Sequence, residues 1–254
     1  MNKFAGIDFG TTNTSIGYIE NKGEAKLINL LNGAKTDRTC IFYSFDEDGI
    51  GIVGQKGFDD SIMGERGRLI TSPKKFLKNN EMPEIQILRE KYDLTDIISH
   101  IIINFKKKLE IEAGEEIDSI LVGRPVRFHD TDDELNNLAE NRLKTAFKKA
   151  GFKNIEFQLE PIGAFNAYKN NHPELTESNN KVLVVDLGGG TSDFSLIETS
   201  RNGIDILGNT GVYVGGDNID EKLILNYFGN YLGKGAKQKL INGGVSFKKY
   251  RWLL

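Results

Sequence analysis

The chain of 254 residues is long enough for one large domain or two modest ones. Its 33 Lys and Arg residues against 36 Asp and Glu residues give a net charge of −3, which offers no electrostatic basis for binding nucleic acid or an anionic membrane. A single cysteine, Cys40, excludes an intrachain disulfide framework, and no apolar run approaches the roughly 18 residues that span a bilayer. The N-terminus shows no signal-peptide core, so we expect a cytoplasmic protein.

The first half of the chain predicts several short strands and one long helix. Strands are expected in the segments 3–20 (two strands joined by a turn), 25–30, 40–45 and 50–53. Residues 64–78 are basic, and we expect most of them to form a solvated surface, with one or two reaching a phosphate. Apolar residues at three- and four-residue spacings predict a helix from Asp93, its N-cap, to Ala113, with Gly114 as the stop.

The second half predicts an alternation of strands and helices. Thr131 and Glu134 have the form of a capping box, which would open a helix that ends at Gly151. The Pro that follows Glu160 favours a helix start there. The remaining expected elements are a strand at 117–123, a strand at 155–159, a polar boundary loop at 169–180, three strands within 181–214, and a helix at 219–231 that follows Gly215 and Gly216.

Two glycine-bearing turns of related sequence stand out. Residues 186–198 read DLGGGTSDFSLIE, and residues 8–20 read DFGTTNTSIGYIE, with four of the thirteen positions identical. Alone, the first of these would be an ordinary glycine hairpin, although its glycines also let backbone N–H groups close round an anion. The internal repeat indicates two related domains, each with a carboxylate and a hydroxyl-rich turn. Two such turns facing across a cleft could hold a polyphosphate and its divalent metal.

The two turns belong to a set of five motifs, namely Asp8–Asn13, Glu160-Pro161, Asp186–Thr191, Asp193 and Gly215–Asp217. In order and content they resemble the ATPase domain of the seventy-kilodalton heat-shock chaperone (DnaK-like) family, within the actin–hexokinase–chaperone ATPase superfamily. Residues 68–77 are similar to its YegD-like branch. The resemblance implies an α/β, actin-like (ribonuclease H-like) two-lobe fold, with mixed sheets of the five-stranded type flanked by helices.

The resemblance also implies a site for ATP or ADP with Mg²⁺. The implied phosphate-binding residues are Gly10, Thr11, Thr12, Asn13, Gly188, Gly189, Gly190 and Thr191, with Gly215 and Gly216 close to the nucleotide. Asp8 and Asp186 would hold hydrated Mg²⁺, and Glu160 would orient the attacking water together with Asp186 and Thr191. The position at which the family carries its catalytic lysine is Gly67 here, and we assign that role to Lys74, with Lys75 as the alternative.

The resemblance implies two lobes, the first at 1–175 with an inserted subdomain at about 31–115, and the second beginning at 176. The chain stops at Trp252-Leu253-Leu254 with no polar tail and without the family's later adenosine-contacting segment, so we expect a truncated second lobe and weakened or absent hydrolysis. Client polypeptides and co-chaperones would bind through the missing regions.

Three hypotheses follow for the function. The first is an ATP-hydrolysing, chaperone-like switch in which the nucleotide state opens and closes two lobes. The second is an actin-like nucleotide-binding scaffold or filament protein, which would polymerise in a nucleotide-dependent manner. The third is a sugar or acetate kinase of the same superfamily, which would need an acceptor-positioning base that the first lobe does not offer. We favour the first hypothesis.

Overall fold

The structure is a computed structural model that describes residues 3–19, 23, 25–82, 84–129, 131–172, 180–200, 203–212, 214–231, 237–239 and 245–247. Its strands are β1 Phe4–Phe9, β2 Asn13–Ile19, β3 Ala25–Leu27, β4 Asp37–Arg38, β5 Cys40–Ser44, β6 Gly51–Val53, β7 Gly67–Thr71, β8 Ile85–Ile87, β9 Glu90–Tyr92, β10 Ser119–Arg124, β11 Asn154–Leu159, β12 Asn180–Leu187, β13 Ser192–Ser200, β14 Gly203–Val212, β15 Lys237–Lys239 and β16 Val245–Phe247. Its α-helices are α1 Gln55–Ile62, α2 Leu94–Ala113, α3 Asp133–Lys149, α4 Glu160–Asn171 and α5 Gly216–Leu223. A 3-10 helix spans Pro73–Phe76, and a π-helical turn spans Ile224–Phe228.

A mixed six-stranded sheet forms the centre of the N-terminal part. Its order is β11-β10-β1-β2-β3, with β4 also paired to β2; β1, β10 and β11 are parallel, whereas β2 is antiparallel to β1 and β3. In β1, Ala5, Ile7 and Phe9 are buried while Asp8 is exposed, as the two-residue period of a strand requires. The sheet therefore directs Asp8 away from the apolar core that Phe9 enters.

The long helix α2 packs against α3 and supplies much of the core. Its fully buried apolar residues recur at three- and four-residue spacings, as predicted: Ile97, Ile98, Ile101, Phe105 and Leu109. The Asp93 carboxylate accepts a hydrogen bond from Asp96 N at 2.9 Å, and the Asp96 side chain accepts one from Asp93 N. Gly114 ends the helix with φ 76°, which favours glycine. Both predicted caps of this helix are confirmed.

Two predictions about helix starts are wrong. Asp132, rather than Thr131, is the N-cap of α3, because its carboxylate accepts from the N–H groups of both Glu134 and Leu135. Helix α5 begins at Gly216, not at residue 219, since the Asn218 side chain already accepts from Gly215 N at 3.0 Å. The basic stretch 64–78 contains β7 and the 3-10 helix, and within it Arg66 and Arg68 are exposed whereas Lys74 is buried.

The 3-10 helix that follows β7 is fixed at its end by α3. Leu77 is fully buried, and Arg142 Nη1 donates to the carbonyl of Leu77 at 2.7 Å. The same guanidinium also donates to the carbonyls of Asn79 and Asn80. The 3-10 helix and its basic residues are therefore anchored to α3.

The β12–β13 hairpin, part of the antiparallel sheet β12-β13-β14, repeats the β1–β2 hairpin. In the first hairpin Asp8 pairs with Ser15, and in the second Asp186 pairs with Asp193. These are equivalent positions of the sequence repeat, and in each hairpin four residues lie between the last paired residues, which are Phe9 and Thr14 in the first and Leu187 and Ser192 in the second. The repeat therefore corresponds to two hairpins of the same register, each with an aspartate at the end of its first strand.

Two predicted features fall outside the described residues. The predicted boundary loop begins later than residue 169, because α4 continues to Asn171; most of the rest of the loop lies within 173–179, and the C-terminal segment lies within 248–254. Within the described part of the chain, none of the helices combines the length and apolar character that crossing a membrane requires.

Candidate functional site

A cavity of about 450 Å³ lies between the two hairpin turns. The predicted site residues that line it are Asp8, Gly10, Thr11, Thr12, Asn13, Lys74, Glu160, Asp186, Gly188, Gly189, Gly190 and Thr191. These residues come from β1, the 3-10 helix, the start of α4 and the end of β12, together with the two turns. One concave surface therefore brings together carboxylates, hydroxyls, backbone N–H groups and a lysine from distant parts of the chain.

The two turns approach each other so closely that only glycine fits at the contact. A Cβ atom on Gly189 would lie 1.9 Å from Thr12 Oγ1, and one on Gly190 would lie 3.3 Å from the methyl carbon of Thr11. Within the second turn, Gly188 N donates to Thr191 O at 2.9 Å. Because glycine has no side chain, the backbone of the second turn also stays uncovered where it lines the cavity.

Gly215 and Gly216 are not among the residues that line this cavity. They support the second turn instead: Gly216 N donates to Gly188 O at 3.0 Å, and Asp217 N donates to Gly189 O at 2.9 Å. A Cβ on Gly215 would lie 2.5 Å from the carbonyl carbon of Gly189. The structure therefore gives this glycine pair a contact with the second turn, and its place close to the nucleotide stays a prediction.

Lys74 and Glu160 form an ion pair inside the cavity, with 2.8 Å between Nζ and Oε1. The Lys74 side chain is only 8% exposed, and the Glu160 side chain is 20% exposed. Gly67 lies elsewhere, in β7, where a Cβ would come within 2.3 Å of the Phe42 ring and 2.4 Å of Tyr43 O. A lysine at position 67 would therefore meet packed side chains, whereas Lys74 already reaches the cavity.

Three carboxyl groups of the two hairpins have raised pKa values. Although Asp8 is in contact with solvent, partial desolvation of its carboxyl group raises its pKa, and the nearby Glu160 carboxylate raises it further, while Lys74 opposes both. Burial followed by Glu160 raises the pKa of Asp186 in the same way. Burial also raises the pKa of Asp193, although Thr191 Oγ1 donates to its carboxylate at 2.9 Å and favours the charged form. Such a cluster of partly desolvated carboxylates would be stabilised by a cation.

The donor set fits a magnesium ion that keeps most of its waters. In the described residues no three His, Cys, Asp or Glu side chains come together as a metal-binding group. Asp8 and Asp186 nevertheless line one cavity, and both remain reachable from solvent. Because Mg²⁺ commonly uses one or two carboxylates and takes its other ligands from water and phosphate oxygens, this pair is sufficient.

One buried hydroxyl in the cavity wall lacks a partner. Among the described residues, Thr12 Oγ1 is one of three buried side-chain polar atoms without a hydrogen bond. Buried polar groups are normally satisfied, so this hydroxyl, which is packed against Gly189, retains unused hydrogen-bonding capacity at the wall of the cavity. An anionic oxygen would accept a hydrogen bond from this group.

Sequence reasoning did not assign several residues of the cavity wall to the site, namely Lys78, Pro125, Arg127, Phe128, Leu187 and Asn218. Lys75 was considered only as an alternative to Lys74, yet its Nζ lies 2.5 Å from Asp217 Oδ2. Arg127 belongs to a loop after β10 that Asn136 secures, since its Oδ1 accepts from Phe128 N at 2.6 Å and from His129 N at 3.0 Å. The excess of positive charge at 64–78 was the available signal for the lysines, whereas no sequence pattern pointed to Arg127.

The mixed sheet with flanking helices and the two facing hairpin turns define an actin-like ATPase fold. The model of the family described as Hsp70 protein matches residues 54–243, about three quarters of the chain. The chain therefore belongs to the Hsp70 family. Its fold and family together make it a chaperone-like nucleotide-binding domain.

Proposed function

We propose that this chain binds Mg·ATP between its two hairpin turns and, in the intact protein, hydrolyses it to drive chaperone action. The single observation that carries this proposal is the cavity in which both turns, Asp8, Asp186 and the Lys74–Glu160 pair meet. Cytoplasmic location, client polypeptides and co-chaperones are proposed on family membership alone.

The phosphate chain would lie against backbone N–H groups of the two turns. Glycines at 188–190 leave the backbone uncovered, and the Thr12 hydroxyl is free to donate to a phosphate oxygen. Phosphoryl transfer asks mainly for positioning and charge neutralisation, and fixed donors provide both without reorganising during the reaction. Magnesium, held by Asp8 and Asp186, would supply further charge neutralisation.

Glu160 would orient the attacking water. Its carboxylate lies at the first turn of α4, where the helix dipole favours a negative charge, and Lys74 fixes one of its oxygens. The second oxygen can then accept a hydrogen bond from a water molecule that faces the terminal phosphate. Lys74 would also bring positive charge to the transferring group. Thr191 and Asp186 would complete the positioning from the opposite hairpin.

Opening and closing of two lobes would follow from this arrangement. The turn contacts between Thr12 and Gly189 and between Thr11 and Gly190 join the two hairpins across the cavity. A nucleotide whose phosphates touch both turns would hold these hairpins in one relative position, and its release would remove that restraint. Such closure commonly couples chemistry to a conformational change.

The test is binding of Mg·ADP and Mg·ATP to the 254-residue chain by isothermal titration calorimetry. We expect saturable binding with one site per chain that weakens when EDTA removes the metal. The variant with both Asp8→Asn and Asp186→Asn, checked for folding by circular dichroism, should lose the metal-dependent part of its nucleotide affinity. Absence of binding to the folded wild-type chain would overturn the proposal, as would equal binding by the double variant.

A further inference from the structure

We propose that Lys75 is an additional phosphate-binding residue and that Asp217 competes with the phosphate for it. The inference rests on the proposed function and adds a form of regulation to the same site. Asp217 would act as an internal competitor of the phosphate group, so that nucleotide entry exchanges one anionic partner of Lys75 for another.

Lys75 is already at the second turn. A Cβ on Gly190 would lie 2.9 Å from Lys75 Cε, so the end of the lysine stem runs directly past the turn, and the residue lines the cavity. The ammonium group of its neighbour Lys74 already forms an ion pair with Glu160. Lys75 therefore brings a second positive charge to the place where the turn's backbone N–H groups would meet an anion.

Asp217 reaches the same place from the other side. It lies in the first turn of α5, and its N–H donates to Gly189 O at 2.9 Å, which fixes the helix start to the turn. Its carboxylate lies 2.5 Å from Lys75 Nζ although 142 residues separate the two in the chain. A carboxylate so close to the second turn would repel a phosphate unless the lysine screens it.

Both side chains are about one-third exposed, at 34% for Lys75 and 37% for Asp217. An ion pair with this much solvent contact is weakly stabilising and is readily exchanged, unlike a fully buried pair. A phosphate carries more negative charge than a carboxylate and offers several acceptor oxygens. The lysine should consequently prefer the phosphate once it enters, and the pair should break at a modest cost.

The experiment compares Asp217→Asn and Lys75→Met with the wild-type chain by calorimetric titration of Mg·ADP and Mg·ATP. Because an exposed pair contributes up to about 1 kcal/mol, Asp217→Asn should bind about two- to fivefold more tightly. Loss of a charged hydrogen bond should make Lys75→Met bind about tenfold more weakly. The gain in Asp217→Asn should shrink in high salt, since salt screens exposed charges.

Two further variants serve as controls. Asp217→Glu keeps the competing carboxylate and should bind like the wild-type chain. Lys91 and Glu84 form a similar exposed pair, 2.8 Å apart, outside the cavity, so Lys91→Met should leave nucleotide affinity unchanged. If folded Asp217→Asn binds nucleotide as tightly as the wild-type chain or more weakly, the Lys75–Asp217 pair has only a structural role and the inference is overturned. If the wild-type chain binds no nucleotide, the proposed function fails as well.

Discussion

Lys74 and Glu160 are held 2.8 Å apart, although 86 residues separate them in the sequence. The lysine belongs to the 3-10 helix after β7, and the glutamate to the first turn of α4. Both are largely shielded from water, and removing either partner would leave the other as a poorly solvated charge. This pair joins the segment after β7 to the end of β11, and it sets the geometry of the proposed reaction.

In the intact protein, Glu160→Gln should lower the single-turnover rate of phosphate release by at least about 100-fold, the lower range for a general acid–base residue. Nucleotide affinity should change little, because the amide keeps the shape and part of the hydrogen bonding. Lys74→Met should also slow release, and the double variant should be no slower than the slower single variant, since the two residues act as a unit. Additive losses would contradict that coupling.

In the intact protein, Asp186→Asn should abolish turnover, and in this chain it should make nucleotide binding independent of magnesium. The substitution removes a negative charge from the proposed metal site while keeping the side chain's size. The measurement is the ratio of ADP dissociation constants with EDTA and with Mg²⁺, which should fall towards one in the variant. Asp205→Asn, at an exposed position of β14, is the matched control and should keep the wild-type ratio. Unchanged hydrolysis in Asp186→Asn would refute the metal role.

Gly189→Ala should weaken nucleotide binding by separating the two hairpins. The new methyl group would come within 1.9 Å of Thr12 Oγ1, so either the Thr12 side chain or one of the turns must move. Gly163→Ala is a useful control because a Cβ there meets no atom within 4 Å, and alanine in a helix is favoured by about 0.5–1 kcal/mol over glycine. Calorimetric affinity for ADP and thermal unfolding separate the two effects. Equal affinity in both variants would argue against the turns as the binding surface.

Asp93→Ala should destabilise the chain by about 1 kcal/mol at pH 7, because it removes the N-cap of α2. Burial opposes ionisation of Asp93, but hydrogen bonds from Thr95 and Asp96 N, together with Lys149, lower its pKa overall. A lowered pKa in the folded state means that the stabilisation is present above the unfolded value of about 3.9 and is lost as the pH falls. The difference between wild type and variant in urea unfolding should therefore narrow below about pH 4. Glu65→Ala, at an exposed position, should unfold in urea like the wild-type chain at both pH values.

Cys40 should react slowly with thiol reagents in the folded chain. The residue is 2% exposed, its Sγ donates to Gly54 O at 3.3 Å, and burial raises the pKa of the thiol to about 11. At pH 8 the thiolate fraction should be about 100-fold lower than in the unfolded chain, whose pKa is about 8.5. Ellman's reagent, added with and without urea, measures this ratio. Rapid labelling without urea would show that β5 opens readily.

Much of the secondary structure could be predicted from the sequence because its signals are local. Apolar spacing, Asp93 and Gly114 define α2 completely, and the strands of both hairpins follow from short alternating runs. The Thr131 cap was wrong because Asp132 is also a good cap residue one position later, and sequence alone does not decide between neighbouring candidates.

The sequence repeat predicted two related hairpin turns with an aspartate before each, and the roles of these residues remain predictions. The turns were predictable because a turn's conformation depends on the residues within it. Glycines such as those at 188–190 are needed where backbone lies close to another group. The tertiary structure alone decided which distant charges face these turns. It placed Lys74 beside Glu160 and Lys75 beside Asp217. Ion pairs between residues 86 and 142 positions apart depend on how the sheets and helices pack, and no local pattern encodes that packing.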